Sequence, residues 1–296
     1  MRYQPRHSAK AFRKPGKIAR FMKAALIALL CLAVLWPFAE PFMLETESVT
    51  IESPDLPEDI GTLRIVYLAD IHRGPFFSDA RVDELVSRVN ALQPDLILLG
   101  GDYANTSEEA IAFFEQAPTF NARYAVCGVL GNHDRTIPES NLIRLKAVMH
   151  AAGITPLVND VMRVRIGSST VCIAGLDDPV NGWPDLPGVA SKIYSDEFTI
   201  FLSHSPAVIP EALQTESANG SRSWIDLGLF GHTHGGQVAV LGKLLNLTQV
   251  PPRYHSGWLI ENRANLLISR GVGTTHLPVR LFCMPQIHLI TVKTVR

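Results

Sequence analysis

Leu96-Ile97-Leu98-Leu99-Gly100-Gly101-Asp102 sets a carboxylate directly after an uncharged apolar run closed by two glycines. Such a run reads as a buried strand ending at a turn. The carboxylate that follows points into whatever crevice the strand ends form. A single Asp there can equally be a turn former, so the reading rests on repetition. Leu63 to Ala69 ends in Asp70-Ile71-His72, and Tyr124 to Leu130 ends in Gly131-Asn132-His133-Asp134. Thr199 to Ser203 ends in His204, and Asp226 to Phe230 ends in Gly231-His232-Thr233-His234. The first three ends lie about thirty residues apart, the length of a strand-helix-strand unit. Open α/β sheets form their sites outside the carboxyl ends of the strands. Asp70, His72, Asp102, Asn132, His133, His204, His232 and His234 are therefore expected to converge.

Working outward, apolar spacing predicts helices near 79–91, 107–116 and 139–151, the first capped by Ser78 with Val82, Leu85, Val86 and Val89 on one face. The β-α-β-α-β order argues for parallel strands with right-handed crossovers. The second half is richer in strands. Runs at 161–166 and 170–174 flank Gly167-Ser168-Ser169, a hairpin signal, and later runs fall at 266–269, 279–283 and 287–292. The expected fold is α/β, a four-layer α/β/β/α sandwich of two mixed sheets flanked by helices. Cys127, Cys172 and Cys283 show no metal or redox spacing and read as small core residues.

The net charge of −1 conceals an asymmetry. Residues 1–40 carry eight Lys or Arg and one acid, Glu40; the rest carries 19 basic and 27 acidic residues, a net of −8. That body excludes nucleic acid binding through a basic surface. Arg2, Arg6, Lys10, Arg13, Lys14, Lys17, Arg20 and Lys23 precede sixteen uncharged residues, Ala24 to Ala39, which Phe21, Met22 and the Lys23 stem can lengthen. A span needs roughly 20 residues. Trp36 suits an interfacial anchor and Pro37 a helix end. The expected layout is a basic cytoplasmic N-terminus at 1–20, a retained transmembrane anchor at 21–39, a linker at 40–60 and a soluble domain at 61–296. A cleaved signal peptide is the rival, but no Ala-x-Ala follows the apolar run. The positive-inside rule puts the domain on the extracytoplasmic face of the inner (cell) membrane.

Oxygen and imidazole donors without thiolate suit Mn²⁺, Fe or Zn²⁺. Their number is too large for one ion. Two ions about 3.5–4 Å apart need a bridging carboxylate, and Asp102 is central in the order. Such a pair neutralises phosphoryl oxygens and lowers the pKa of a shared water toward about 7, giving hydroxide that attacks phosphorus in line.

Asp70-x-His72, Gly101-Asp102, Gly131-Asn132-His133-Asp134, His204 and Gly231-His232-Thr233-His234 resemble, in order and spacing, the calcineurin-like metallophosphoesterase superfamily over about residues 63–293. Gly231 to Gln237 and Pro278 to Phe282 look like its bacterial membrane-associated phosphodiesterase branch, although Ala69 stands where that branch commonly has Ser. The resemblance implies a first metal on Asp70, His72 and His234, Asp102 as the bridge, and a second metal on Asn132, His204 and His232. It implies that His133 faces the substrate phosphate and protonates the leaving oxygen, with Asp134 orienting it. Arg73 could hold a phosphate oxygen or make a surface salt bridge, and Asp177-Asp178 could shape the substrate pocket or form a turn. The implied activity is hydrolysis of a phosphodiester or pyrophosphate, on a lipid or cell-envelope phosphate ester held near the bilayer. A UDP-2,3-diacylglucosamine pyrophosphatase, a phosphomonoesterase or protein phosphatase, and a non-catalytic phosphate-binding scaffold are the alternatives.

Overall fold

The computed structural model describes residues 16–136, 139–240, 243–244 and 250–295, so Arg2 to Lys14 of the basic segment lie outside the described residues. The chain divides into a unit ending at Pro37 and a second unit, Phe38–Arg296. The first is built on helix α1, Lys17–Ala39. Within residues 20–42 an 18-residue stretch has a mean hydropathy of 2.1, and the segment is long and apolar enough to cross a membrane. The helix starts earlier than expected, inside the basic segment, and Pro37 lies within its last turn instead of ending it.

The strands of the second unit are β1 (Glu45–Ser53), β2 (Thr62–Leu68), β3 (Leu96–Leu99), β4 (Ala125–Gly128), β5 (Thr155–Pro156), β6 (Asp160–Ile166), β7 (Ser169–Gly175), β8 (Thr199–Leu202), β9 (Leu227–Phe230), the short pair β10 (Ala239–Val240) and β11 (Lys243–Leu244), β12 (Gly257–Glu261), β13 (Ala264–Ile268) and β14 (Gln286–Thr294). Helices α2 (Asp79–Ala91), α3 (Ser107–Gln116) and α4 (Glu139–Ala151) fill the crossovers of the first half, at the predicted positions. Two short helices follow, α5 (Leu186–Ala190) and α6 (Ile209–Ala212). One six-stranded sheet runs β1-β14-β2-β3-β4-β5 and the other β12-β13-β9-β8-β7-β6. Both are mixed: β2, β3, β4 and β5 are parallel, as are β7, β8, β9 and β13, while β14 and the outer hairpins run antiparallel.

Strand alternation sorts the core into layers. From β2, Leu63, Ile65 and Tyr67 face the other sheet and meet Ile200, Leu202, Leu227 and Leu229. Val66 and Leu68 face outward, onto Val82, Leu85, Val86 and Val89 of α2 and Phe113 of α3. On the far side Phe201, Phe230 and Leu266 pack with Leu186, Val189, Ile209 and Trp224. This is the four-layer α/β/β/α arrangement. Cys127 and Cys172 are buried in it, and burial pushes their thiols up to about 12 and about 11, which suits inert packing groups.

Two readings need correction. Residues 40–60 are not a linker: nine of them form β1, which pairs in parallel with β14 at the sheet edge. Of this strand the sequence offers only Val49-Thr50-Ile51, as a short edge strand, because the rest of the inward face carries Glu45 and Glu47. The Glu47 carboxylate is satisfied by Gln286 and lies 3.4 Å from the His288 ring. Val279 to Cys283 is not a strand. Phe282 has φ +54°, and the segment makes one isolated bridge, between Leu281 and Val238.

Asp226, just before β9, accepts the Thr199 N–H at 2.7 Å. Burial, helped by neighbouring Asp55 and opposed by the Thr199 N–H, pushes its carboxyl up to about 7 from 3.8. The folded chain therefore holds a proton that the unfolded chain releases between those values, so stability falls as pH rises through that window and levels off above it. Asp226→Asn keeps an acceptor for Thr199 and is expected to flatten that slope by on the order of 1 kcal/mol or more. Urea unfolding at pH 5 and pH 8 reads it; equal slopes in both proteins refute it.

Candidate metal centre

Each converging side chain sits two to five residues beyond a strand, on backbone that has just turned. Asp70, His72, Asp102, His232 and His234 all have φ between 49° and 69°, a left-handed conformation that non-glycine residues rarely adopt. Five such residues in one place are held only by over-determined surroundings. The β2 and β3 ladder continues past the strands: Asp70 N–H donates to the Gly101 carbonyl at 2.9 Å and His72 N–H to that of Asp102 at 3.0 Å. Gly101 (φ +90°) lets the turn form, because a Cβ there would lie 2.5 Å from the Gly131 nitrogen.

All eight residues come together. Asp70, His72 and His234 offer donor atoms within 4.8 Å of one another, as do Asp70, Asp102 and His204, and His72, Asp102 and His133. One oxygen of Asp102, Oδ2, lies 3.2 Å from His204 Nε2 and 3.5 Å from His72 Nε2. The His232 ring lies 2.9 Å from Asn132 Oδ1.

The tautomers test the fit to a cation. His204 Nδ1–H donates to the Gly100 carbonyl at 2.8 Å, so Nε2 is the nitrogen left to face the Asp102 carboxylate, and it has no hydrogen-bond partner. His72 Nδ1–H donates to Asn105 Oδ1 at 3.1 Å, so its bare Nε2 points at His234 Nε2, also 3.1 Å away. Lone pairs thus face carboxylate and imidazole acceptors in a buried space, an arrangement that a cation among them satisfies. Burial pushes His72 and His232 down to about 4 and His234 well below the ordinary range, keeping these rings neutral as metal ligation requires. Burial also disfavours charge on His204, but Asp102 and Asp70 outweigh it, so positive charge is favoured beside these carboxylates. The donor set fits divalent metal.

Asp134 departs from its expected role. It does not orient His133. Its carboxylate accepts the N–H groups of Asp102 (2.7 Å), Tyr103 (3.1 Å) and Gly131 (2.8 Å), tying the β3 turn to the β4 turn. The Asn105 carbonyl orients His133, accepting Nδ1–H at 2.9 Å and leaving Nε2 for other partners. Arg73 turns away from the centre, donating to exposed Asp79 at 2.8 Å and to Gln116 at 3.1 Å. Asp177 and Asp178 are buried but do not line the cavity. Asp177 pairs with Arg135 at 3.1 Å and accepts the Trp183 N–H, and Asp178 accepts the N–H groups of Val180 and Asn181. They fold the loop from which the Asn181 amide donates to the Asn132 carbonyl at 2.9 Å. Asn105 and Asn181, which no sequence pattern singles out, each hold a ligand residue that lies on another loop.

A cavity of about 530 Å³ opens over the cluster. His72, Asp102, Asn132, His133, His232 and His234 form its floor, and Pro179, Val180, Val250, Thr275 and His276 contribute to its walls.

Two stacked mixed sheets with Asp, Asn and His gathered at their carboxyl ends define a hydrolytic metal enzyme. A calcineurin-like phosphoesterase family model matches residues 63–236, and the chain belongs to that family. The metallophosphoesterase YkuE of Bacillus subtilis is 30% identical over 266 residues, 87% of this chain and 88% of that protein. A metallophosphoesterase of Aquifex aeolicus is 28% identical over 86% of this chain and 94% of its own length. A Danio rerio "transmembrane protein with metallophosphoesterase domain" is 27% identical over 92% of this chain, which spans 63% of that protein. The chain is a metal-dependent phosphoester hydrolase.

Asn105→Ala removes the acceptor that fixes the His72 tautomer. It is expected to weaken metal binding about 10–100-fold with the fold retained. Calorimetric titration of the metal-free protein checks this, and unchanged affinity would show that Asn105 does not set the ligand.

Proposed function

We propose that this chain is a membrane-anchored binuclear phosphodiesterase or pyrophosphatase acting on a lipid or cell-envelope phosphate ester. One observation carries the binuclear reading: a single oxygen of Asp102 stands between two donor sets. Asp70, His72 and His234 would hold one ion, and Asn132, His204 and His232 the other, with Mn²⁺ the expected metal and Fe or Zn²⁺ compatible with the same donors. Bound divalent ions supply charge neutralisation for the phosphoryl group and an activated water. The protein's own residues do the rest. His133 lines the cavity beside these donors, with Nδ1–H committed to Asn105, so Nε2 is the nitrogen that meets the substrate and passes a proton to the leaving oxygen. Its backbone N–H donates to Asp102 Oδ1 at 2.9 Å, fixing acid and bridge in one frame. The aliphatic walls around Pro179, Val180 and Val250 favour an ester with an apolar leaving group. The apolar helix and the basic residues before it support attachment to the inner membrane with the catalytic unit on its outer face.

Full-length protein in detergent, assayed with an aryl phosphodiester and an aryl phosphomonoester, tests the reading. Two equivalents of metal and preferential diester turnover are expected, with both metal binding and turnover lost in Asp102→Ala. His133→Ala is expected to lower kcat about 10²–10⁴-fold while metal content holds. Full metal occupancy without turnover of either ester, or an active His133→Ala, overturns it.

A further inference from the structure

Beside the cavity, the second unit exposes four large apolar side chains on neighbouring loops: Phe42 (67% exposed), Phe76 (44%), Leu277 (61%) and Phe282 (74%). Phe76 lies in the turn just after His72. Leu277 and Phe282 lie on the segment tied to the residue three past His234, since Gln237 donates its side-chain amide to the Leu277 carbonyl and accepts Leu281 N–H on its main-chain carbonyl. Phe42 closes the apolar stretch that begins in α1.

Polar contacts join these loops into one surface. The buried Glu40 carboxylate accepts the N–H groups of Phe282 and Cys283, successive donors around a residue at φ +54°, a small anion-holding nest. One residue on, the Pro41 carbonyl accepts from Arg81. The Arg81 guanidinium lies 4.6 Å from the Phe42 ring centre and donates to the Phe76 carbonyl at 2.8 Å. The apolar groups are therefore held in place without any partner. The Phe76 and Leu277 carbonyls and the Leu277 and Phe282 N–H groups are satisfied from within, which lowers the cost of bringing this backbone to an apolar surface.

We propose that this surface rests in the bilayer interface, so that the mouth of the metal centre opens at the membrane and draws its phosphate ester from the lipid layer. Continuity decides the occupant. The patch begins at Phe42, the last residue of the membrane-spanning stretch, so a chain anchored through that stretch carries the patch to the bilayer surface. Burying four such side chains is enough to fix an orientation once the chain is tethered. The inference rests on the membrane attachment proposed above, not on the chemistry.

Nitroxide accessibility in lipid nanodiscs of phosphatidylethanolamine and phosphatidylglycerol tests it with the full-length chain. The exposed Cys31 of α1, labelled in the unaltered protein, reports the anchor; the remaining cysteines are buried. Phe76→Cys and Phe282→Cys are labelled in a Cys31→Ser background, with Ile260→Cys on β12, 76% exposed, as the aqueous reference. Labels at 76 and 282 are expected to collide with oxygen more than with a water-soluble nickel chelate, as at Cys31, and the label at 260 to do the reverse. Labels at 76 and 282 that behave like 260 while Cys31 stays in lipid overturn the inference alone. Shielding of 76 and 282 from both reagents points to a second copy and also overturns it. A Cys31 label in water removes the membrane reading and this inference together. Aryl diester turnover by each labelled protein confirms its fold and reads the chemistry separately.

Discussion

Burying three carboxylates within one cluster of turns is the constraint on which the rest of this structure depends. Asp70, Asp102 and Asp134 are each at most 2% exposed. Unpaired charge at such depth costs several kcal/mol per group, and each is met differently. Asp134 takes three backbone N–H groups and becomes a structural clamp. Asp70 takes the His232 N–H, yet burial, with Asp102 nearby, still pushes it up to about 7 against His204, that N–H and Arg280. For Asp102, burial is outweighed by His204, His72 and His133, and it is held below the ordinary range. Of the two carboxylates the metals would share, Asp70 is thus the one whose charge the protein alone leaves uncompensated, while Asp102 is already compensated by the imidazoles around it.

Much of the remaining architecture keeps those groups from relaxing. Arg280 is fully buried and donates to the carbonyls of Arg270, Gly271, Gly273 and Cys283, which binds the 270–273 loop against Asp70. There, Val272 and Gly273 N–H groups donate to the carbonyls of Ala69 and Asp70. A guanidinium with its donors spent on carbonyls rigidifies the turn, and its charge also lies near enough to Asp70 to favour the ionised form. Left-handed backbone at five site residues costs of order 1–3 kcal/mol each. Close-packed loops of this kind let the fold sustain it.

What the sequence made legible follows from strand geometry. Asp70, Asp102, Asn132, His204 and His232 each follow an apolar run by a residue or a short turn, and parallel strands bring such ends to one edge. The α2, α3 and α4 boundaries were equally plain, because four apolar residues at helical spacing leave little choice of face. The supporting groups were not legible. Asn105 lies three residues past Asp102 in a loop, and nothing in a linear pattern indicates that its amide oxygen meets His72 while its carbonyl meets His133. Asp134 follows His133 directly, and the family resemblance implies that it orients that ring. In the fold its carboxylate turns back to N–H groups some thirty residues away. For Arg73 the sequence left a phosphate contact and a surface salt bridge open, and the fold takes the second, with Asp79 of α2.

The supporting groups also restrict which proton each ring keeps. Gly100 and Asn105 fix the hydrogens of His204 and His72 on Nδ1, so both present Nε2 inward before any ion arrives. Neutral His72 therefore has no proton to lose and no ring flip to make on ligation, whereas His204, on which Asp102 and Asp70 favour positive charge, has only its Nε2 proton to give up. His133 differs from its neighbours in position more than in chemistry. It follows ligand Asn132 directly, takes its Nδ1 partner from the same Asn105 that steers His72, and is only partly buried at the cavity. One loop residue thus sets a ligand with its side chain and the proposed acid with its backbone. Displacing that loop would disturb metal affinity and proton transfer together, which explains why a residue that touches neither metal nor substrate can be as consequential as those that do.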